Sequence, residues 1–149
     1  MHTDHHNSFD RRAVTLGLGT VMLAAAAAPA QARPAPASSG MDGMMEACLD
    51  DCQKCHITCL SMATGFCLTK GGPHAAPAHI RIMLDCAQIC ATTADFMARG
   101  STQHAAMCRL CADICDACAR SCDGMAGMEA CIAACSACAK SCRAMAMMG

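Results

Sequence analysis

Sixteen cysteines occur in 149 residues, and their spacing is regular. The pattern C-x3-C-x2-C-x3-C appears three times, as Cys48/Cys52/Cys55/Cys59, Cys111/Cys115/Cys118/Cys122 and Cys131/Cys135/Cys138/Cys142. Cys86/Cys90 is a shorter version, and Cys67 and Cys108 complete the set. Steps of four, three and four residues place side chains on one stripe of an α-helix and match alternating d and a positions of a heptad. The stripes predict a thiol-lined interior. Thiols in such numbers suit disulfides, iron–sulfur clusters, soft metal ions or thiol redox chemistry.

The spacing discriminates among these. Cysteines four apart on one helix have Cα atoms about 6 Å apart along the axis, and their side chains project in nearly one direction instead of converging as a relaxed disulfide requires. Bridges between helices stay open, but a cross-linked scaffold has no need for every bridge to lie on a seam. Iron–sulfur motifs wrap a compact cluster with a loop, which a helical stripe does not do. Four Zn²⁺ ions, each held by four of the 16 thiolates, would leave about eight buried negative charges, a heavy penalty unless thiolates are shared. Cu(I) is soft, accepts two or three thiolate or thioether ligands, and is neutralised at one ion per thiolate. An i, i+4 pair can clasp one such ion, and bridging sulfurs can line ions up along a bundle. Cu(I), in multiple copies, therefore suits these residues best. The rivals are a disulfide- or zinc-stabilised structural bundle and a thiol redox or electron-transfer protein. Cys52-Gln53-Lys54-Cys55 and Cys108-Arg109-Leu110-Cys111 do have redox-like spacing, but each sits inside a helical run with cysteine on both sides.

The elements that must carry the stripes follow from the breakers. Gly71-Gly72-Pro73 ends a first helix and Pro77 opens a second; Gly100-Ser101 separates the second from the third, with Ser101 as N-cap; Asp123-Gly124 and Gly127 precede the fourth. The expected spans are 42–69, 76–99, 101–123 and 127–146. Short connections predict an all-α, antiparallel up-down-up-down four-helix bundle with a Cys-lined core. Continued outward, the seams carry Met41, Met45, Met62 and Phe66 on the first helix and His79, Met83, Thr93 and Met97 on the second. The third adds His104 and Met125, and the fourth Met128 and Met145. Met62, His79, Met83, Met125 and Met128 are then expected at one end of the bundle, and Met41, Met45, Met97, His104 and Met145 at the other. Each methionine is equally suited to filling core gaps. His56 falls off the seam and His74 lies in a loop, so neither is expected to bind metal.

Composition narrows the function further. There are 14 Met but 3 Phe and neither Trp nor Tyr, so no stacking platform for bases or sugars exists. A net charge of −1 leaves no electrostatic footprint for nucleic acid and no polybasic membrane patch. Residues 1–32 read as an export signal: Arg11-Arg12 precede the apolar stretch Ala13 to Ala28, and Ala30-Gln31-Ala32 offers a cleavage pattern. The stretch is too short and weakly apolar for a membrane span, and the paired arginines resemble a twin-arginine signal. A periplasmic protein without a membrane anchor in its mature form is expected, with a flexible tail over 33–41 and the bundle over 42–149.

The stepped cysteine helices, the short loops and the export signal resemble the bacterial copper storage proteins, a resemblance that covers residues 42–146. That resemblance implies a non-enzymatic store or buffer of multiple Cu(I) ions and a homo-oligomer. It also implies Met and His at one open end of the bundle, which maps onto Met62, His79, Met83, Met125 and Met128. A copper-acquiring enzyme or chaperone is the expected partner. Two departures stand out: the second helix has only two cysteines, and Cys67 falls off the α-helical seam.

Overall fold

The computed structural model describes residues 40–148. The export segment read over 1–32 and most of the tail read over 33–41 lie outside the described residues. All regular structure within them is helical. Helix α1 (Gly40–Ser61) runs on through a π-helical turn (Met62–Cys67) and a last α-helical turn (Leu68–Lys70). A 3₁₀ turn (Gly72–Ala75) leads to α2 (Pro77–Ala98), then α3 (His104–Cys122) and α4 (Glu129–Ala146). Each helix packs on the next, and α4 closes the ring against α1. Sulfur contacts give the directions. Cys48 meets Cys142 and Cys59 meets Cys131, so α1 and α4 run antiparallel; Cys86 meets Cys115 and Cys90 meets Cys111, so α2 and α3 do too.

Helix ends differ from expectation where local hydrogen bonds take over. α3 starts at His104 instead of 101, because Ser101 makes a turn of its own. Its Oγ accepts from the Gln103 N–H at 3.2 Å and its carbonyl from the His104 N–H at 3.1 Å. Ser101 therefore precedes the helix and is not its N-cap, a position Gln103 occupies without a side-chain bond. The Ser101 and Gly100 N–H groups also finish α2, reaching the carbonyls of Phe96 at 2.9 Å and Met97 at 3.0 Å in a Schellman pattern. Pro77 takes the first turn of α2 as expected, where a missing N–H costs nothing.

The interior inverts the usual division of residue types. All 16 cysteines are fully buried, with small residues such as Ala63, Ala87, Ala112 and Ala139 beside them and Met83, Met97, Met128 and Met145 toward the ends. The larger groups Leu49, Ile80, Ile82, Ile89, Ile114 and Ile132 are only partly buried and pack around this centre. Short side chains on the seam let the helices approach closely, and the branched residues seal the clefts between them.

The π turn resolves the position of Cys67. From Cys59 to Cys67 is eight residues, and an α-helix would carry the side chain about 80° past the seam. The wider turn absorbs the extra residue, so Ala63 and Cys67 face inward and are fully buried. Met62 and Phe66, expected on the seam, are displaced to half-buried positions beside it. Hydroxyls in the same region bond to main-chain carbonyls: Thr64 Oγ1 donates to Leu60 O at 2.8 Å and Ser61 Oγ to Thr58 O at 3.1 Å. Such back-bonding assists helix distortion.

Candidate metal centre

Three of the four helices deliver a stepped cysteine quartet, and α2 delivers the same steps as Cys86, Cys90, Thr93 and Met97. Their sulfurs form an unbroken path along the bundle. It runs from Cys122 to Cys131 at 3.6 Å, Cys131 to Cys59 at 3.6 Å and Cys59 to Cys135 at 3.5 Å. It continues through Cys86, Cys115 and Cys90 at 3.8, 3.7 and 3.5 Å. Cys138, Cys52, Cys142 and Cys48 complete it at 3.7, 3.6, 3.6 and 3.7 Å. Several groups of four, among them Cys55/Cys86/Cys90/Cys115 and Cys59/Cys118/Cys131/Cys135, have every sulfur within 4.8 Å of the others. With metal–sulfur bonds of about 2.3 Å, sulfurs 3.5–4.0 Å apart subtend about 100–120° at a shared ion. The cysteines are therefore spaced for metal bridging, and all 16 are free thiols.

Proton affinities follow the sulfur network. Cys115 is pushed up by its contacts to Cys111 and Cys138, and Cys135 by those to Cys118 and Cys131. Cys55 and Cys111 are held down, chiefly by their contacts to Cys115. The cluster thus titrates as a unit, some sulfurs holding protons for others. Metal binding must displace those protons, as thiolate ligation always does.

One end of the path carries a different donor set. Cys67 Sγ lies 3.8 Å from Met83 Sδ, 3.7 Å from Met128 Sδ and 3.7 Å from His79 Nε2. Burial raises the Cys67 thiol, reinforced by Cys131 and Cys118, and burial lowers the His79 imidazole. His79 Nδ1 meets Ser121 Oγ at 2.8 Å. The tautomer with hydrogen on Nδ1 donates there and leaves the Nε2 lone pair aimed at Cys67. A cap covers this end. His74 Nε2 meets Ala126 O at 3.1 Å, and Phe66 packs edge-on against the His74 ring at 5.6 Å. Gly127, at φ +86°, lies so close that a Cβ there would sit 2.7 Å from Phe66 Cζ.

Of the residues expected at this end, His79, Met83 and Met128 converge on Cys67 and are buried, whereas Met62 and Met125 are half-buried at its margin. Met62 is displaced by the π turn, and Met125 lies beyond the end of α3. His56 bonds the Ala87 carbonyl at 2.9 Å, away from the sulfurs. His104 Nδ1 is tied to Ser101 O at 2.7 Å. The structural use of His74 and the seating of Ser121 behind His79 had no seam signal in the sequence. Thr93 was on the seam, but its burden emerges only here: Oγ1 is buried with no hydrogen-bond partner among the described residues.

Comparison with known proteins places this geometry. The family model for the copper storage protein matches residues 41–147. The chain is 46% identical to the Nmul_A1745 protein from Nitrosospira multiformis, covering 72% of this chain and 99% of that one with a TM-score of 0.72. It is 37% identical to the Cu(I)-bound copper storage protein BsCsp3 of Bacillus subtilis, covering 69% and 98% with a TM-score of 0.64. An uncharacterized cysteine-rich protein, YhjQ of Bacillus subtilis, is 37% identical over 82 residues, which is 55% of this chain and 75% of the relative. A bundle with this thiol interior, matched over nearly its whole described length, belongs to the copper storage protein family.

Proposed function

We propose that the chain stores multiple Cu(I) ions on the thiolates of its sealed core, with Met and His at the ends for entry and exit. The observation that carries this is the continuous path of buried sulfurs at 3.5–4.0 Å. Similarity to a Cu(I)-bound relative supports it. One Cu(I) per thiolate leaves the interior neutral, so a long array can be held where charge is costly. The Cys67/His79/Met83/Met128 group, with a single thiol, is the weaker set suited to exchange. A non-enzymatic role fits the access: the four C-x-x-C pairs, Cys52/Cys55, Cys108/Cys111, Cys115/Cys118 and Cys135/Cys138, are fully buried within helices, whereas a redox thiol must meet its partner.

The wider setting rests on the sequence. Arg11-Arg12 and the following apolar segment support export by the twin-arginine route to the periplasm. No described helix is long and apolar enough to cross a membrane. A homo-oligomer that exchanges copper with an acquiring enzyme or chaperone completes the reading.

The test is titration of reduced, metal-free protein with Cu(I) beside a competing chelator. Saturation is expected at about 12–16 ions per monomer, near one per thiolate. Saturation at two or four ions would sink the storage reading. A visible-region cluster spectrum in protein as isolated would point to iron–sulfur instead.

A further inference from the structure

The second helix breaks the thiol pattern inside the core. Its seam reads Cys86, Cys90, Thr93, Met97, and Thr93 is fully buried. It carries the one buried hydroxyl among the described residues, and Oγ1 has no hydrogen-bond partner among them. A threonine inside a helix commonly bonds the carbonyl four residues back. Thr92 does so to Gln88 O at 2.9 Å and Thr64 to Leu60 O at 2.8 Å. Thr93 does not.

Register places this hydroxyl. Cys86 meets Cys55, Cys115 and Cys135 at 3.8, 3.7 and 3.8 Å. One step on, Cys90 meets Cys111 and Cys138, each at 3.7 Å, and Cys138 meets Cys52 at 3.6 Å. The next step is Thr93, level with Cys48 on α1, Cys108 on α3 and Cys142 on α4. Those three thiols form one group: Cys48 and Cys142 are 3.7 Å apart, and Cys108 interacts with both. Beyond them Met97 Sδ meets Cys108 Sγ at 3.9 Å. Each helix therefore gives this layer one residue, three thiols and a hydroxyl, whereas the layer before it, Cys52/Cys90/Cys111/Cys138, is all thiol.

An unpaired hydroxyl in the core is destabilising, and valine would fill the same space without that cost. The hydroxyl gains a use once the thiols ionise. Neutral thiol sulfur is a weak acceptor, whereas an ionised acceptor makes a strong bond with an O–H donor. Loading turns the three neighbours from S–H groups into metal-bound thiolates and removes their protons.

We propose that Thr93 is a positioning residue for stored copper: when the Cys48/Cys108/Cys142 layer is loaded, its Oγ1–H donates to a thiolate of that layer, fixing the sulfur and offsetting its charge while the metal stays bound to sulfur. Each ion entering the layer takes the place of one thiol proton, which leaves to solvent, and copper remains Cu(I). This role rests on the storage reading and adds a hydroxyl donor to it. The apo form carries the hydroxyl unpaired, and the loaded form uses it.

The test compares T93V, which keeps the shape and removes the hydroxyl, with T93S, which keeps the hydroxyl. Reduced, metal-free T93V is expected to melt about 4–8 °C above wild type by circular dichroism. Loaded T93V is expected to give up about three ions, one per thiol of the layer, at a chelator concentration about tenfold lower than wild type requires. T93S should hold those ions as wild type does. A valine that only repacks the core would shift apo stability and copper retention in the same direction; opposite signs mark a hydroxyl used in one state alone. Unchanged retention in T93V overturns the role, and so does equal loss from T93S, which assigns the effect to packing. Metal-free T93V melting at or below wild type also overturns it, since the hydroxyl would then have a partner, such as a buried water, without copper. Total Cu(I) uptake in the same titration tests storage separately: a full load with unchanged retention removes only the role of Thr93, and a wild-type load of a few ions removes both.

Discussion

Gly127 offers a measurable handle on the capped end. Replacing it with Ala has two effects. At φ +86° an L-residue is strained, by about 1–2 kcal/mol. The new Cβ would also sit 2.7 Å from Phe66 Cζ, so the ring must swing away from His74. Losing that edge-to-face packing costs about 0.5–1.5 kcal/mol more. Gly124 supplies the control, because its φ is +71° but nothing lies within 4 Å of its Cβ position. G124A should therefore show the backbone strain alone. Thermal melts of reduced, metal-free protein followed by circular dichroism would compare the two, each kcal/mol lowering Tm by about 4–8 °C in a domain of this size. G127A is expected to melt several degrees below G124A and, when loaded, to release copper to a chelator faster than both G124A and wild type. Equal melting of the two variants would show that Phe66 yields freely. Equal release at unequal stability would show that the cap does not govern exit.

Further outcomes follow from the same core. T93C gives the second helix a third stepped cysteine, with Met97 still in the fourth place, and removes the unpartnered hydroxyl. Cu(I) titration should find about one more ion, and denaturant melts a stability gain of about 1–3 kcal/mol. Deleting Gly65 shortens the Cys59-to-Cys67 interval to seven residues, a seam step an ordinary α-helix accommodates. Cys67 should stay unreactive toward thiol reagents and capacity should hold; a newly reactive Cys67 would show that the π turn is required for its burial. Copper bound only by the folded chain must raise Tm, each site held at 100 times its Kd contributing about 2.7 kcal/mol, and a loaded protein melting with the apo form would place the ions outside the core.

Most of the bundle was legible because cysteine marks its own seam. Three quartets with one step pattern are a helical stripe whatever packs against them, and Gly-Gly-Pro and Asp-Gly punctuate the runs. Two kinds of feature were not legible. Cys67 is off the stripe in any α-helical reading, and nothing in a fixed period signals a six-residue π turn; only the cluster of Thr58, Ser61, Thr64 and Gly65 hinted at one. The cap and the seating of His79 depend on contacts between residues far apart in sequence, His74 with Ala126 and His79 with Ser121. Such pairings arise from helix ends meeting in space, and periodicity within one helix carries no information about them. Ser101 shows a third limit: a good capping residue can spend its hydroxyl on a turn one step before the helix begins.

The π turn between Met62 and Cys67 also bears on how such a bundle changes over generations. Substitutions at a seam swap one donor for another, but each rung stays where it was. An inserted or deleted residue behaves otherwise, because it rotates everything beyond it and would ordinarily turn a whole stripe away from its partners. Here the wider turn takes up one residue within a single coil, and the four rungs of α1 before it, Cys48 to Cys59, are undisturbed. A lineage could therefore lengthen or shorten its first helix near this end and recover a working terminal donor without redesigning the rest, so length variation among relatives is expected to concentrate there.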